Sequence, residues 1–267
     1  MKINLQTKLD STNYLQKLER KAKELLEKFQ NWQYKWVFFS GGKDSLVALD
    51  LANKVWKDFE VIYIEVTGNT HQKCNKYAKR IVENYYGLPF THLKREDLDF
   101  YDCLVRWGYP SVLWRGSRWC LRQFKEKVAR RYTKYRGVSV SGISPSDSPR
   151  RASRAKPIWF SGWTPVNIYP LFWFRKQDVW LYIHENGLEI NPLYKEIGRS
   201  GNCMFCPAMR KCEFEQFVKT EFFLKWKKAH EKLRERYDFG RKGMVVLFKK
   251  FDKMYAEYVE GGCMLDG

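Results

Sequence analysis

The chain has 267 residues, 44% of them hydrophobic, which is enough for one large α/β domain with appendages or for two small domains. This composition argues against global disorder, and no apolar run approaches the ~20 residues of a membrane-spanning helix. Lysine and arginine number 49 against 30 acidic residues, and the formal charge of +19 favours an anionic partner, either a nucleic acid or a small nucleotide. The stretch 1–12 lacks the apolar segment of a secretory signal, so we expect a cytoplasmic protein that binds no membrane.

Helical and strand periods alternate in the first part of the chain. Apolar residues recur at helical spacing after a Ser11–Thr12 cap, and a strand then leads through a glycine turn into a second helix. The predicted elements are a helix over 12–33, a strand over 35–40, a helix over 44–56, a strand over 60–66, a helix over 71–86 and a strand over 89–94. Strands that alternate with helices predict parallel β-α-β units in an open wound sheet.

The rest of the chain continues this alternation and ends in helices. After a less regular stretch over 96–119, the predicted elements are a helix over 121–135, strands over 137–143 and 166–171, a helix over 175–186, and C-terminal helices over about 213–237 and 243–259. The predicted fold class is α/β: a Rossmann-like open parallel sheet of about five strands with helices on both faces, plus an N-terminal helix and a C-terminal helical extension. The predicted divisions are an N-terminal helix (1–34), a nucleotide-binding α/β domain (35–200), and a cysteine cluster with C-terminal helices (201–267).

The glycine turn after the first strand is a candidate phosphate site. At a helix N-terminus, backbone N–H groups and the helix dipole face an anion, and glycine lets the backbone approach it closely. The turn is not a Walker A loop, because Val37 and Asp44 stand where that pattern has glycine and Ser or Thr. Asp44 suits either helix capping or a Mg²⁺ that neutralises phosphates. The six residues of the turn are Ser40, Gly41, Gly42, Lys43, Asp44 and Ser45.

The seven cysteines of the chain indicate a metal site rather than disulfides. An odd count without a secretory signal argues against a disulfide framework. Cys203, Cys206 and Cys212 have the spacing of metal ligands, and Cys120 is the candidate fourth ligand. Dispersed ligands and the Pro207 that follows Cys206 favour an iron–sulfur cluster over zinc, with unligated thiols as a third interpretation.

The glycine turn resembles the PP-loop of the adenine-nucleotide α-hydrolase superfamily, whose members cut ATP between its α and β phosphates. Further motifs, in one order over about 35–212, narrow the resemblance to proteins like phosphoadenosine-phosphosulfate (PAPS) reductase. These motifs are RWCLRQFK (Arg118, Cys120, Lys125), GISPSDSPRR (Gly142, Asp147, Ser148, Arg151), a Pro-Leu…Trp…Asp-Val-Trp element within 170–180, and Asn-Pro-Leu-Tyr at 191–194.

The resemblance implies a bound adenine nucleotide, either ATP or an adenylyl sulfate, and a [4Fe–4S] cluster on the four cysteines. It implies that Asp44, Lys125 and Arg151 take part in catalysis. The implied nucleotide contacts are residues 40–45, Thr67, Gly68, Gly142 and Ser148.

Three features of the motifs bear on the substrate. Ser144 stands where the family usually has arginine, and Asp147 replaces glutamate. The sulfate or phosphate contact of the missing arginine would then have to come from Arg150 or Arg154. The intact loop is typical of relatives that use ATP. Sulfonucleotide reductases bind a substrate without pyrophosphate, and their loops are typically degenerate.

Cys263 is a candidate catalytic nucleophile. Its context, EGGCMLDG, weakly resembles the C-terminal Glu-Cys-Gly-apolar-His of the reductases. Glycine precedes this cysteine and no histidine follows it, so we favour an idle thiol in a flexible tail, because reactivity needs a low-pKa environment.

The leading hypothesis is an ATP-dependent sulfur transferase that adenylates an acceptor and then thiolates it with sulfur from a donor. The acceptor could be a tRNA base or a small molecule. Arginine and aromatic residues interleave over 115–136, as in nucleic-acid contacts, although a solvated amphipathic helix gives the same pattern. The alternatives are a sulfonucleotide reductase with an external thiol reductant, and a non-catalytic module that binds nucleotides or nucleic acids. A homodimer is one candidate assembly.

Overall fold

A computed structural model describes residues 5–110, 118–153, 156–160, 163–235 and 242–260. Cys263 and Arg154 lie outside these residues, as does the beginning of the 115–136 stretch, so the predictions on them have no structural counterpart. The strands are β1 (Lys35–Phe38), β2 (Glu60–Ile64), β3 (Phe90–Leu93), β4 (Val138–Ser141), β5 (Ile158–Phe160) and β6 (Val166–Ile168). The α-helices are α1 (Leu5–Glu27), α2 (Lys43–Asn53), α3 (Gln72–Arg80), α4 (Phe100–Trp107), α5 (Trp119–Leu121), α6 (Lys127–Thr133), α7 (Pro149–Ala152), α8 (Lys176–Glu185), α9 (Leu193–Ile197), α10 (Lys211–Val218), α11 (Phe222–Glu235) and α12 (Lys242–Glu260).

The six strands form one sheet in the order β3-β2-β1-β4-β6-β5, which confirms the predicted α/β class. All neighbours pair in parallel except β5, which pairs antiparallel with β6 at the edge. The chain runs outward from β1 to β2 and β3, and then returns to place β4 on the other side of β1. The carboxyl ends of β1 and β4 therefore flank the switch point of the sheet, where open α/β sheets bind ligands.

Helices cover both faces of the sheet. On one face the strands pack against α1, α2, α3 and α8 in a single buried cluster. On the other face, two residues of α6 cover side chains of the central strands; the buried residues there are Trp36, Phe38, Ile62, Ile64, Val128 and Ala129. Successive residues of β1 and β2 face these two covered sides in turn. Both strands are almost wholly apolar because each of their side chains is buried on one side or the other.

A second core lies among helices from two distant parts of the sequence. It joins α4 with α10, α11 and α12, and its largest buried side chain is Trp226. Tyr109, which follows α4, shares a hydrogen bond of 2.9 Å with the buried His230 of α11. Burial lowers the pKa of His230, so the ring stays neutral within this aromatic cluster.

Besides the N-terminal helix, which spans Leu5–Glu27 instead of 12–33, and the short unpredicted helices α7 and α9, three further elements differ from the sequence-based expectation. The stretch 96–119 contains the helix α4, which Asp99 caps by accepting from the N–H of Tyr101 at 2.7 Å. The loop after β4 contains the edge strand β5, whose three residues are too short for a periodic signal. The C-terminal part has three helices instead of two, because α10 ends before α11 begins.

Two helical stretches contain a π-helical segment. Ile81–Tyr85 continues α3, and Arg122–Glu126 connects α5 to α6. Such segments are frequent at functional sites. The second one carries Lys125, which faces the cleft described below. Within the described residues, no helix is long and apolar enough to cross a membrane.

Candidate active site

A cleft of about 570 Å³ opens at the carboxyl ends of β1 and β4. Residues of the 40–45 turn form one end of it, and aromatic residues before and after β6 form the other. Three cationic side chains and three carboxylates line it, namely Arg118, Lys125, Arg151, Asp44, Glu126 and Asp147. The cleft therefore combines a helix N-terminus, cations and aromatic surface, which suits a nucleotide.

The 40–45 turn is closed by its two serines. The hydroxyl of Ser45 accepts from the N–H of Ser40 at 3.1 Å and donates to the carbonyl of Gly42 at 2.9 Å. The two serine hydroxyls lie 3.0 Å apart. Gly42 is the N-cap of α2 and supplies no capping side chain, so the first-turn N–H groups of Asp44 and Ser45 lack helical partners at the cleft. This arrangement can hold the oxygens of a phosphate.

Gly41 has φ = +70°, and the space beside it is filled by Cys74 of α3. A Cβ at Gly41 would lie 2.8 Å from the Cys74 sulfur, so a side chain would strain the backbone and push α3 away. The thiol of Cys74 lies 3.7 Å from the carbonyl oxygen of Ser40. Cys74 therefore packs α3 against the turn.

Cys74 should resist alkylation although it lies next to the candidate active site. Burial raises its pKa to about 11, so at pH 8 only about one thiol in a thousand is the reactive thiolate. Cys212 is exposed. In metal-free protein treated with iodoacetamide at pH 8, peptide mass spectrometry should find Cys212 modified well before Cys74. Equal rates at the two positions would show that α3 does not pack on the turn as described.

Lys43 points away from the cleft. Its ammonium group lies 2.5 Å from a carboxylate oxygen of Asp44 and 5.8 Å from the centre of the Trp180 ring. Its backbone N–H donates to the hydroxyl of Tyr194 at 3.0 Å. Lys43 thus anchors the turn to α8 and α9, and Asp44 lies in the first turn of α2 without capping it.

The Asn-Pro-Leu-Tyr segment holds the turn from a second side. The amide of Asn191 donates to the carbonyl of Gly41 at 3.1 Å and to the carbonyl of Ser200 at 2.8 Å. Tyr194 contributes the contact to Lys43 described above. These residues fix the turn and also connect it to the start of the cysteine segment at 200–206.

Gly142 allows β4 to approach the N-terminus of α2. A Cβ at this position would lie 2.5 Å from the backbone nitrogen of Ser45 and would overlap the carbonyl group of Asp44. Backbone atoms cannot move aside as a flexible side chain can. Gly142 is therefore required by close packing, and it lines the cleft beside Asp44.

A second cleft, of about 430 Å³, adjoins the first and is lined by Cys203 and Cys206. Ser40, Lys125 and Asn202 line both clefts. The ammonium group of Lys125 donates to the side-chain oxygen of Asn202 at 2.7 Å. Lys125 and Asn202 therefore form the wall between the nucleotide-like cleft and the thiol-lined cleft.

The segment that carries Cys203 and Cys206 is pinned by two buried asparagines. Asn69 donates to the carbonyl of Phe205 at 2.9 Å and accepts from its N–H at 2.8 Å. Asn202 donates to the carbonyl of Ile64 at 3.1 Å. The loop after β2 is thus a support for the cysteine segment.

Thr67 and Gly68, which the resemblance places in the nucleotide pocket, do not line the cleft. The hydroxyl of Thr67 donates to the carbonyl of Arg95. Gly68 has φ = +81° and packs against the carboxylate of Asp99, so that a Cβ would clash with it. Both residues shape the turn that carries Asn69.

Three of the four predicted metal ligands, Cys120, Cys203 and Cys206, lie near enough for one thiol to influence the pKa of another, but they do not form a metal site. Burial raises the pKa of Cys120 to about 11, and the charge of Cys203 and then of Cys206 adds to this effect. Burial likewise raises the pKa of Cys206, followed by the charge of Cys203. Cys212 is exposed on α10. Among the described residues, no three Cys, His, Asp or Glu side chains are grouped closely enough to hold a metal ion.

The loop after β4 contributes Arg151 and Asp147, which pair with each other and line the cleft. Ser148 caps α7 by accepting from the N–H of Arg151 at 3.3 Å and does not line the cleft. Ser144 is buried and donates to the carbonyl of Phe174 at 2.8 Å. An arginine at position 144 would not fit this packing, so the departure from the family pattern has a structural reason.

The aromatic end of the cleft was not predicted from the sequence. It consists of Trp159, Trp163 and Tyr169, with Asn167 beside them. A signal exists only for Asn167 and Tyr169, which alternate with apolar residues in VNIY, where every second side chain faces the same side of the sheet.

Fold and cleft together define an α/β protein with a glycine turn and a cleft at the switch point of a mostly parallel sheet. The sequence matches the phosphoadenosine phosphosulfate reductase domain over residues 35–209, and the chain belongs to this family.

Several known proteins are similar to the chain. It is 28% identical to adenosine 5'-phosphosulfate reductase 1 of Bacillus subtilis over 68% of this chain and 80% of that protein. It is 32% identical to an uncharacterized protein of Methanocaldococcus jannaschii over 79% of this chain and 52% of that protein. The chain thus spans only about half the length of that archaeal relative.

Two solved structures share the fold. The phosphoadenylyl-sulfate reductase of Candida auris, in a phosphate complex, superposes with a TM-score of 0.50 and 17% identity, covering 73% of this chain and 93% of that one. The U34-tRNA thiolase NcsA of Methanococcus maripaludis, with its [4Fe-4S] cluster, superposes with a TM-score of 0.50 and 16% identity, covering 96% and 84%.

Proposed function

We propose that this protein binds ATP in the cleft at the 40–45 turn and catalyses ATP-dependent sulfur transfer. An oxygen of the acceptor attacks the α-phosphorus of ATP, the bond to the β-phosphate oxygen breaks, and pyrophosphate leaves. A sulfur nucleophile then forms a bond to the activated carbon, and AMP departs with the former acceptor oxygen. No net oxidation or reduction is needed when the sulfur donor is at the level of sulfide.

The observation that carries the proposal is the intact turn at the N-terminus of α2, next to a cleft lined by thiols. The first-turn N–H groups of α2 suit the negative charge that develops on pyrophosphate. Lys125 stands in the wall between the two clefts, so its cation can face the α-phosphate from the side on which sulfur would arrive. A short path between nucleotide and sulfur is what a two-step transfer requires.

Several side chains would orient the nucleotide. Arg118 and Arg151 line the cleft and can neutralise phosphate oxygens. Asp44 lies at the same end, where its carboxylate could hold a Mg²⁺ bound to the phosphates, provided that it leaves its pair with Lys43. Substitution Asp44→Asn would then lower the apparent affinity for Mg²⁺ together with turnover.

The proposed ligands of a [4Fe–4S] cluster are Cys120, Cys203, Cys206 and Cys212. Four thiolates are the usual donor set of such a cluster, and when bound it would supply iron for sulfur binding. The thiol chemistry and the shared cleft of Cys203 and Cys206 support this assignment, and the thiols would have to move closer together, with Cys212 turning inward from α10. NcsA, which shares the fold, carries a cluster of this type.

A sulfonucleotide reductase is the second candidate. It is favoured by sequence similarity to adenosine 5'-phosphosulfate reductases of several bacteria, at 23–28% identity. Such a reaction would need a nucleophilic thiol at the adenylyl sulfate and an external thiol that reduces the enzyme-bound sulfur adduct and releases sulfite. Cys263 is the candidate for that nucleophile.

The two candidates differ in their products. Anaerobically purified protein is incubated with ATP, sulfide and RNA in one assay, and with adenylyl sulfate and a dithiol in another. The proposal predicts AMP and pyrophosphate from the first assay and no sulfite from the second. Sulfite that disappears in Cys263→Ser, without nucleotide cleavage in the first assay, would establish the reductase instead.

A further inference from the structure

A single acidic residue lies in a strongly basic stretch of the chain, and it lines the cleft. Residues 118–136 contain eight lysines and arginines but only one acidic residue, Glu126. Glu126 is half-buried and lines the cleft, whereas Arg122, Lys127 and Arg130 of the same stretch are exposed and do not line it. The cleft therefore receives a negative charge from a helical stretch whose solvent side is positive.

The carboxylate of Glu126 has no partner among the residues that the structure describes. The other two carboxylates that line the cleft are paired, Asp44 with Lys43 and Asp147 with the guanidinium of Arg151. Within the same described residues, Glu126 forms neither an ion pair nor a side-chain hydrogen bond. A free carboxylate repels a phosphorylated ligand, unless the ligand also presents hydrogen-bond donors to it.

Glu126 adjoins an apolar floor of the cleft. The floor consists of residues of β1 and β2 that line the cleft and pack in one buried cluster, namely Phe38, Ile62 and Ile64. Trp163 also lines the cleft, and its ring lies edge-on to Phe38 with 4.6 Å between the ring centroids. Val128, two residues after Glu126, packs in the same cluster. The uncharged nucleoside part of a nucleotide would fit over this floor, with Glu126 at its rim.

Lys125 and Glu126 are consecutive residues that face different parts of the cleft. Lys125 also lines the thiol-lined cleft, whereas Glu126 does not. In the proposed reaction the acceptor and the sulfur approach from the side of the thiols, so the nucleoside has to extend from the α-phosphate in the other direction. The ribose, which is bonded to the α-phosphate, would then lie next to Glu126.

We propose that Glu126 accepts hydrogen bonds from the 2′- and 3′-hydroxyls of the bound ribose and thereby selects nucleotides whose ribose carries no phosphate. Dinucleotide-binding folds make the same choice, because an acidic residue binds a free ribose hydroxyl and an arginine accommodates a ribose phosphate. The cleft thus accepts ATP or adenylyl sulfate and rejects their 3′-phosphorylated counterparts, including the phosphoadenosine phosphosulfate after which the family is named. This inference rests on the binding of an adenine nucleotide under the proposed function, but not on the sulfur-transfer step.

Calorimetric titrations with AMP and with adenosine 3′,5′-bisphosphate test the selection directly, because the two ligands differ only in the 3′-phosphate. Charge repulsion at Glu126 should make the bisphosphate bind about 10-fold more weakly than AMP, or weaker still, to the wild-type protein. Glu126→Gln keeps an acceptor oxygen and removes the charge, so the two ligands should bind to this variant about equally.

Titrations with ATP and with its 2′,3′-dideoxy analogue test the contact itself. A hydrogen bond to a charged group is strong, so the wild-type protein should prefer ATP over the dideoxy analogue by roughly 10- to 100-fold. Glu126→Ala should bind the two ligands with equal affinity. A merely structural role of Glu126 would weaken the binding of both ligands alike and leave the preference intact.

The matched control is Glu27→Gln. Glu27 is an exposed glutamate at the end of α1, which packs on the other face of the sheet from α6. Its substitution should leave both preferences at their wild-type values. Wild-type protein that binds the bisphosphate as tightly as AMP, or preferences that are unchanged in both Glu126 variants, would overturn the proposal.

The selection and the reaction fail separately. A preference for unphosphorylated ribose that depends on Glu126, in a protein that makes no AMP from ATP, would retain the selection and refute the proposed function. AMP and pyrophosphate formation in a protein that binds both ribose forms equally would refute the selection alone.

Discussion

Substitution Gly142→Ala should abolish nucleotide binding in a chain that still folds. The new Cβ would lie 2.5 Å from the backbone nitrogen of Ser45, so β4 and the N-terminus of α2 must separate. Such overpacking costs about 1–3 kcal/mol and displaces the N–H groups that are proposed to hold phosphate. Calorimetric titration with ATP should therefore show at least a 100-fold weaker affinity, while circular dichroism retains the α/β signature.

Gly87→Ala is the control for Gly142→Ala. Gly87 also has a restrictive backbone, with φ = +64°, but no atom would lie within 4 Å of its Cβ. The substitution should cost about 1–2 kcal/mol of unfolding free energy through left-handed strain alone and leave ATP affinity unchanged. Wild-type affinity in folded Gly142→Ala protein would contradict the account of the turn.

Substitution Asn69→Ala should release the cysteine segment. It removes both hydrogen bonds to the backbone of Phe205 and the one from the Tyr101 hydroxyl at 3.1 Å, all of them buried. Each buried polar group left without a partner costs about 1–3 kcal/mol, so the unfolding free energy should fall by about 2–4 kcal/mol in denaturant titration. Because Phe205 lies between Cys203 and Cys206, iron incorporation on reconstitution should fall as well.

Asn53→Ala provides the comparison for Asn69→Ala. Asn53 is exposed at the end of α2, and its truncation should change the unfolding free energy by no more than about 0.5 kcal/mol. An Asn69→Ala protein as stable as Asn53→Ala, and with the same iron content as wild type, would contradict the pinning role of the loop after β2.

The sheet was predictable because its central strands are buried on both faces and alternate with amphipathic helices. The helix α4 could also have been found, since Asp99 and Gly108 mark its two ends. The edge strand β5 could not, because three residues between polar loops give no period. Trp159 of this strand lines the cleft.

The turn at 40–45 was recognisable from six residues, but its supports were not. Asn69 lies 136 residues from Phe205, and Asn191 lies 150 residues from Gly41. A sequence pattern reports local geometry, whereas these hydrogen bonds depend on how distant loops meet above the sheet. The same limit applies to the side chain of Lys43. Its place in the motif suggested a phosphate contact, but the ammonium group pairs with Asp44 beside the ring of Trp180.

The most direct test of the central claim, that the 40–45 turn binds the pyrophosphate of ATP, is a competition titration. Protein saturated with a fluorescent ATP analogue is titrated with ATP, pyrophosphate and adenylyl sulfate. The account predicts that ATP displaces the analogue at lower concentration than adenylyl sulfate does, that pyrophosphate alone also displaces it, and that Gly142→Ala does not bind the analogue. Displacement by adenylyl sulfate at lower concentration than ATP, with no effect of pyrophosphate, would contradict it.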